Sequence, residues 1–235
     1  MIENSLRSIL RKVGLQVKKY PDRYLKSRQI ALTNFGINKI FDIGANTGQY
    51  AMDMRNDGFK GKIISFEPLS SAFKQLEKNA SRDTDWITRN MAIGDSDGET
   101  VINVAGNSLS SSVLEMLPAH LKSAPESAYI STEKIAIKKV DTIFNDFYED
   151  GDQILLKIDT QGYEKNVLDG AELSIPKIKG IKLEMSLIPL YKGEMLFFEM
   201  VQYMESKKFK LYSLENTYSD PQSGQLMQVD GTFYC

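Results

Sequence analysis

Short apolar runs alternate with segments of mixed polarity along most of this chain. The runs that predict strands lie at 38–43, 62–66, 86–92, 153–158 and 180–185. The segments that predict helices lie at about 47–57, 69–80, 163–169 and 193–207. Strands that alternate with helices in this way are typical of an α/β fold with a parallel sheet.

The middle and the end of the chain depart from this alternation. Thr100 to Val104 follows an Asp-Ser-Asp-Gly turn signal and is predicted to pair back as a strand. Residues 105–133 are rich in Ser, Pro and Ala and predict a long loop with a short helix. Loops of this length inside a domain are usually lids or binding segments. The other predicted elements are a strand at 133–140, a helix at 141–147 and an antiparallel strand pair at 209–214 and 226–234.

Composition indicates one α/β domain with a modest extension. The chain has 235 residues, of which 42 % are hydrophobic and 26 % are charged. No apolar run approaches the roughly 18 residues of a membrane span, and no signal-peptide pattern is present. The single cysteine, Cys235, excludes an internal disulfide and a cysteine-based zinc site. We therefore expect a cytoplasmic protein, and the net charge of −2 gives no general attraction to nucleic acid.

Residues 1–36 are predicted to be a basic, helical extension of a domain that spans residues 37–235. Residues 1–30 contain eight Lys or Arg and only two acids. Apolar side chains recur at helical spacing at Ile2, Leu6, Ile9, Leu10 and Val13. Such a helix either packs its apolar stripe on the domain or lies on an anionic membrane surface at the inner face. The narrow stripe and the absence of a flexible linker favour packing.

The most informative segment is the apolar run that ends at Ile43 together with the turn Gly44-Ala-Asn-Thr-Gly48. A strand, a turn of small residues and a helix form a cradle for a nucleotide-like ligand, because ligand atoms can approach the glycine backbone closely. The next predicted strand ends at Ser65-Phe66-Glu67. An acid at that place can accept both hydrogen bonds of a ribose diol.

The spacing of these residues distinguishes between cofactor classes. Dinucleotide enzymes usually carry Gly-x-Gly-x-x-Gly, and a phosphate-binding loop would continue with Lys-Ser or Lys-Thr; neither pattern is present. Asp42-x-Gly44-x-x-x-Gly48, followed by Glu67, agrees better with S-adenosylmethionine, which has no phosphates. The alternative is a glycine turn that only joins a strand to a helix.

Further candidates lie where other predicted strands end, since ligands bind at the carboxyl edge of an open α/β sheet. That rule gathers Asp42, Glu67, Ala92, Asp95, Asp159 and Glu184 at one edge. Asp159 and Glu184 are candidates for a general-base pair that acts on a substrate hydroxyl. The alternatives are a helix cap at Asp159 and a divalent-cation site at the pair; we predict no metal.

Two features of the long loop remain open. His120 is the only histidine and is interpreted as a solvated surface residue rather than a catalytic one. The run from Asn107 to Ser112 either hydrogen-bonds a sugar or the cofactor, or is simply a loop.

Taken together, these segments resemble the FkbM family of S-adenosylmethionine-dependent methyltransferases. The matching stretches are 41–50, 65–68, 91–98, 110–112, 157–164, 167–171 and 228–233. The family's usual stretch after the fourth strand is Lys-Ile-Asp-Val-Glu-Gly. Here Thr160 and Gln161 replace Val-Glu, which removes one acid.

The resemblance implies a class I methyltransferase fold, a Rossmann-like doubly wound sheet that is mostly parallel with an antiparallel C-terminal strand pair. It implies O-methylation, often of a sugar hydroxyl in a cell-surface glycan, a glycolipid or a secondary metabolite. It also implies site roles: Asp42, Gly44, Asn46 and Gly48 for the amino-acid end of the cofactor, Glu67 for the ribose, Met91 and Ala92 for the adenine, and Asp159 for the reaction centre.

Other functional classes are less well supported by the sequence. A non-catalytic binding module would not require intact cofactor motifs. A methyltransferase of nucleic acid or protein is disfavoured by the near-neutral charge and by the absence of an Asn/Asp-Pro-Pro-Tyr motif. The acceptor and the oligomeric state are not fixed by the sequence.

Overall fold

The computed structural model describes residues 20–235 and the isolated positions 10, 12 and 14. The chain divides into two units, Met1–Asn34 and Phe35–Cys235. In the first unit a helix, α1, covers Arg23–Asn34, and Asp22 Oδ1 accepts the Leu25 N–H at 2.9 Å in its first turn. The predicted apolar stripe at residues 2–13 lies, apart from Leu10, outside the described residues.

In the second unit, strands and helices alternate over much of the chain. The strands are β1 (Lys39–Ile43), β2 (Lys62–Phe66), β3 (Trp86–Arg89), β4 (Ala92–Ile93), β5 (Gly98–Ala105), β6 (Tyr129–Lys138), β7 (Ile154–Ile158), β8 (Ile178–Ser186), β9 (Lys210–Ser219) and β10 (Leu226–Tyr234). The helices are α2 (Gln49–Asn56), α3 (Ser70–Ala80), α4 (Pro118–Ser123), α5 (Val140–Phe147), α6 (Glu164–Asp169) and α7 (Phe197–Ser206). Short 3₁₀ helices cover Pro125–Ser127 and Ile175–Lys177.

The main sheet has seven strands in the order β3-β2-β1-β7-β8-β10-β9. The first five of these pair in parallel, while β10 is antiparallel to both of its neighbours. This arrangement confirms the predicted Rossmann-like sheet with a C-terminal strand pair at one edge. The parallel strands place their carboxyl ends along one edge, where Gly44, Glu67 and Asp159 directly follow β1, β2 and β7.

The middle of the chain forms a separate three-stranded sheet in the order β4-β6-β5. The single strand predicted at 86–92 is therefore wrong, because β3 ends at Arg89 and Ala92 pairs instead with Ile137 of β6. The predicted loop at 105–133 is too long, because β6 already begins at Tyr129 and pairs antiparallel with β5. The early residues of β6 are mostly exposed, so they carry no alternating apolar signal.

The central strand β1 is buried along its whole length. Successive side chains of a strand point to opposite faces of a sheet. Phe41 and Ile43 join the main apolar core, in which Phe41 contacts Phe66 and Phe144 edge-on or tilted. The intervening Asp42 points to the opposite, also covered face and is therefore a carboxylate inside the protein.

Across the described residues, none of the helices combines the length and the hydropathy needed to cross a lipid bilayer.

Candidate cofactor and active site

The turn between β1 and α2 adopts backbone conformations that favour glycine. Gly44 and Gly48 have φ angles of 71° and 92°. A Cβ atom on Gly44 would lie 1.8 Å from the carbonyl oxygen of Asp159, so only glycine allows the ends of β1 and β7 to come this close. The Gly44 N–H donates to the Phe66 carbonyl at 3.1 Å, which ties the turn to the end of β2.

Glu67 follows β2 and directs its carboxylate at this turn. Its Oε2 accepts the Asn46 N–H at 2.7 Å, and its Oε1 accepts the Leu69 N–H at 2.8 Å. Burial raises the pKa of Glu67 to about 7, although the two N–H donors favour the ionised form. Each carboxylate oxygen has a second lone pair, so Glu67 retains acceptor capacity for ligand hydroxyls.

A cleft opens beside the turn and Glu67. Apolar side chains form much of its lining, namely Ile43, Phe66, Leu69, Met91, Ala92, Ile93, Ile102, Leu109 and Val113. Polar groups at Asn46, Glu67, Asp159 and Gln161 lie in the same cleft. An apolar cavity with a few convergent polar groups is the usual form of a cofactor site.

A buried ion pair lies beneath the glycine turn. Lys157 Nζ lies 3.1 Å from Asp42 Oδ1 and donates to the Gly44 carbonyl at 3.0 Å. Ser65 Oγ donates to the other oxygen of Asp42 at 2.9 Å. Burial disfavours the charged lysine, but the charges of Asp42 and Asp159 outweigh this effect and raise its pKa. Lys157 thus links the buried acid to the turn that lines the cleft.

Two acidic residues, Asp159 and Glu184, lie near the ends of β7 and β8. Asp159 lines the cleft with a side chain that is 40 % exposed. Gln161 Nε2 donates to Asp159 Oδ1 at 2.9 Å and to Glu184 Oε2 at 2.6 Å. Gln228 donates to the same Glu184 oxygen at 3.0 Å. Burial, followed by the charge of Asp159, raises the pKa of Glu184 well above its ordinary value.

This acidic pair does not extend into a metal cluster. Among residues 20–235 and the three isolated positions, no group of three or more His, Cys, Asp or Glu side chains is placed to hold a metal ion. Gln161 directs its amide nitrogen at both carboxylates, which places a donor between them. The divalent-cation alternative for Asp159 and Glu184 therefore lacks a third ligand within the described residues.

The loop between β5 and α4 forms one wall of the cleft. Leu109 and Ser111 line the cleft directly. Ser110 is buried with its Oγ 3.0 Å from Ser127 Oγ, and Ser112 Oγ donates to the Gln161 carbonyl at 2.7 Å, so these two serines anchor the loop. The serine run therefore contains both cleft-lining and anchoring residues.

The structure brings most of the candidate residues together. Six of them line the cleft: Gly44, Asn46, Glu67, Met91, Ala92 and Asp159. Asp42, Gly48 and Glu184 do not. A Cβ on Gly48 would lie 2.6 Å from the Trp86 ring, so this glycine serves the packing of α2. Because Asp42, Gly48 and Glu184 do not line the cleft, their placement favours indirect roles. The ligand-binding role of each candidate remains a prediction.

Two other residues lie away from the cleft. Asp95 accepts hydrogen bonds from Asn166 Nδ2 at 2.8 Å and from Tyr163 OH at 3.2 Å, next to α6. His120 is only 3 % exposed, so its interpretation as a solvated residue is wrong. It lies in α4 and packs edge-on against Tyr191 with the ring centroids 5.2 Å apart.

Sequence reasoning did not single out Lys157 or Tyr191 as site residues. Lys157 carries a recognisable signal, because a cation inside the apolar run of β7 has to be paired when the strand is buried. Tyr191 donates to Gln161 Oε1 at 2.8 Å across 30 residues of sequence, and no local pattern marks that contact.

Comparisons with known proteins agree with this geometry. The family model described as the methyltransferase FkbM domain matches residues 42–211. The chain is similar to the solved FkbM methyltransferase from Methylobacillus flagellatus KT, with a TM-score of 0.52 and 16 % identity over 84 % of this chain and 44 % of that one. This chain thus spans less than half of that protein's length, and the similarity shows the fold.

Two further solved structures are similar at lower TM-scores. M. capricolum TrmK, solved in complex with S-adenosylhomocysteine, has a TM-score of 0.47 and 10 % identity over 89 % of this chain and 67 % of that one. TehB from Haemophilus influenzae has a TM-score of 0.48 and 8 % identity over 96 % of this chain and 65 % of that one. None of the curated proteins matches this chain.

Proposed function

We propose, from the premise that this chain belongs to the FkbM methyltransferase family, that it transfers a methyl group to a hydroxyl group of a sugar. Membership of this family makes S-adenosylmethionine the cofactor. The hydroxyl acceptor is the proposed part. The observation that supports it is the Asp159 carboxylate, which lines the cleft beside the glycine turn and Glu67.

The residues around the cleft suit this cofactor. The close approach at Gly44 leaves backbone rather than side chain beside the cleft, for the amino-acid end. Glu67 has acceptor capacity for the ribose diol, and the apolar wall at Met91 and Ala92 suits the adenine. When bound, S-adenosylmethionine supplies a methyl group that its positively charged sulfur activates.

Asp159 is the proposed general base. A sugar hydroxyl is weakly acidic, so its proton has to leave as the new bond from oxygen to the methyl carbon forms. Asp159 Oδ2 lies 3.7 Å from Lys157 Nζ, and Oδ1 accepts from Gln161, so the carboxylate is held in place. Much of the acceleration would come from holding the two reactants in alignment within the cleft. Glu184, which is not part of the cleft lining, supports this base rather than acting on the acceptor.

The test is methyl transfer to a panel of sugars and glycolipids, read as a mass increase of one methyl group with the modified hydroxyl located. We expect Asp159→Asn to lower the rate by about 10²- to 10⁴-fold while binding of S-adenosylhomocysteine persists. The matched control is Asp97→Asn, since Asp97 is an exposed acid outside the cleft. Full activity of Asp159→Asn with cofactor bound would remove the base assignment.

A lipid-linked sugar at the inner membrane face is the acceptor that the basic residues 1–30 favour. The full chain and a chain without residues 1–30 would be compared for binding to vesicles with anionic lipid and to neutral vesicles. Selective loss of anionic binding in the shortened chain supports this acceptor class. Equal recovery of both proteins counts against it.

A further inference from the structure

Gln161, which lines the cleft, is held through both its backbone and its side chain. Its backbone has a φ angle of 56°, a conformation that residues other than glycine adopt uncommonly. Its carbonyl accepts the Ser112 hydroxyl at 2.7 Å, and its side-chain Oε1 accepts the Tyr191 hydroxyl at 2.8 Å. Tyr191 in turn packs over Gly162, where a Cβ would lie 2.7 Å from the tyrosine. The side chain of Gln161 is therefore fixed rather than free to rotate.

The chemistry of its neighbours decides which way the amide points. An amide nitrogen only donates hydrogen bonds, and an amide oxygen only accepts them. The nitrogen faces Asp159 Oδ1 and the Glu184 Oε2 atom that also accepts from Gln228, and the oxygen faces the Tyr191 hydroxyl. The opposite orientation would place the amide oxygen against two acceptors.

We propose that Gln161 is a positioning residue whose neutral amide holds Asp159 and Glu184 in one orientation without placing a third negative charge between them. The proposal rests on the proposed function, because it assumes that Asp159 accepts the proton of the acceptor. Gln161 acts through the two carboxylates and takes no proton itself.

The surroundings make a neutral residue at position 161 important. The charged or titratable groups that act on this pair or on Gln161 are Lys157, Glu164, Asp230 and Tyr191, and Asp230 in turn pairs with Lys182. Lys182 Nζ lies 2.7 Å from both Glu215 Oε2 and Asp230 Oδ2, and Lys157 is paired with Asp42, so both cations are already engaged. A carboxylate at position 161 would add repulsion that neither cation is free to offset, and the acids would hold their protons to higher pH.

The first experiment reads the carboxyl groups directly. Protein with ¹³C-labelled Asp and Glu side chains would be titrated by NMR with S-adenosylhomocysteine and a metal chelator present. In Gln161→Glu, the Glu184 carboxyl is expected to titrate about one to two pH units higher than in the wild type. Gln161→Met keeps the length but removes both donors, so it should raise the titration by less. Gln202→Glu adds the same charge at an exposed position of α7 and should leave it unchanged.

The second experiment reads the rate of methyl transfer against pH. The acidic limb, which reports the proposed base Asp159, should move to higher pH in Gln161→Glu, in the same direction as the NMR titration of Glu184, and the rate should recover at high pH. A purely structural role would lower the rate at all pH values and leave the limb in place. Circular dichroism and binding of S-adenosylhomocysteine show whether each variant is folded.

The outcomes separate the two claims. An NMR titration that Gln161→Glu does not move overturns the inference, whatever the rates show. A moved titration with an unmoved acidic limb also overturns it, because the pair then does not control the reaction. A moved titration in a protein that methylates no hydroxyl supports the positioning role and contradicts the proposed function instead.

Discussion

Glu67 is predicted to make cofactor binding depend on pH near neutrality. Its carboxylate is 4 % exposed, and burial raises its pKa to about 7. Only the ionised form offers both oxygens as acceptors to the ribose hydroxyls. Because the ionised fraction grows as the pH rises through 7, affinity should rise with pH over the same interval.

The structure gives the expected magnitude. With a pKa of about 7, roughly a tenth of Glu67 is ionised at pH 6, so the Kd for S-adenosylhomocysteine should be about tenfold higher than at pH 8. Glu67→Ala removes a hydrogen bond to a charged group, worth about 1.5–3 kcal/mol. That loss corresponds to about a 10- to 150-fold weaker Kd at pH 8, and the pH dependence should disappear with it.

Isothermal calorimetry at pH 6, 7 and 8 would test this prediction. The matched control is Asp97→Ala: Asp97 also accepts a backbone N–H, from Lys139 at 2.9 Å, but it lies outside the cleft. Glu67→Gln is a poor substitute, because its amide nitrogen would face the N–H of Asn46 or Leu69. A wild-type Kd that is constant between pH 6 and 8, or Glu67→Ala with wild-type affinity, would refute the ribose assignment.

Three other perturbations follow from the structure. Gly44→Ala and Gly58→Ala both place alanine at a positive φ, but only the Cβ at position 44 meets backbone, 1.8 Å from the Asp159 carbonyl oxygen. Gly44→Ala alone should therefore abolish cofactor binding and lower Tm strongly. Equal Tm values for the two variants would contradict this. Lys157→Met should lower the free energy of unfolding in denaturant by about 3–5 kcal/mol because a buried acid loses its partner. Lys62→Met, which breaks a solvent-exposed ion pair, should change the free energy of unfolding far less. Similar losses in the two variants would contradict this prediction. Burial lowers the pKa of His120 below its ordinary value of 6.5, so the unfolded chain binds more protons than the folded protein as the pH falls through that value. The Tm should therefore fall as the pH drops below 6.5. His120→Leu should make the dependence of Tm on pH less steep.

Much of the fold could be predicted because its strands are buried on both faces. Such strands appear as apolar runs with few interruptions: β1 and β7 are interrupted only by Asp42 and Lys157 after their first apolar residues, whereas β8 also carries Lys182 and Glu184. The small sheet was harder to predict. Its β6 strand lies in a partly exposed hairpin whose first residues have no apolar period, so the sequence suggested a loop there.

Part of the candidate site could also be predicted from local sequence patterns, and part could not. Gly44, Glu67 and Asp159 directly follow buried strands, so a local pattern and the rule for sheet edges were enough to bring them together. The contacts of Lys157 with Asp42 and of Gln161 with Tyr191 join residues that are 115 and 30 positions apart. These contacts depend on strand order and on the course of a loop, and neither is encoded by a local spacing.

A crystal structure of the protein with S-adenosylhomocysteine would show whether the cleft holds the cofactor. We expect the homocysteine end beside the Gly44 turn, both ribose hydroxyls on Glu67 and the adenine against Met91 and Ala92. A cleft without ligand at saturating concentration, or a nucleoside bound at another place, would contradict it.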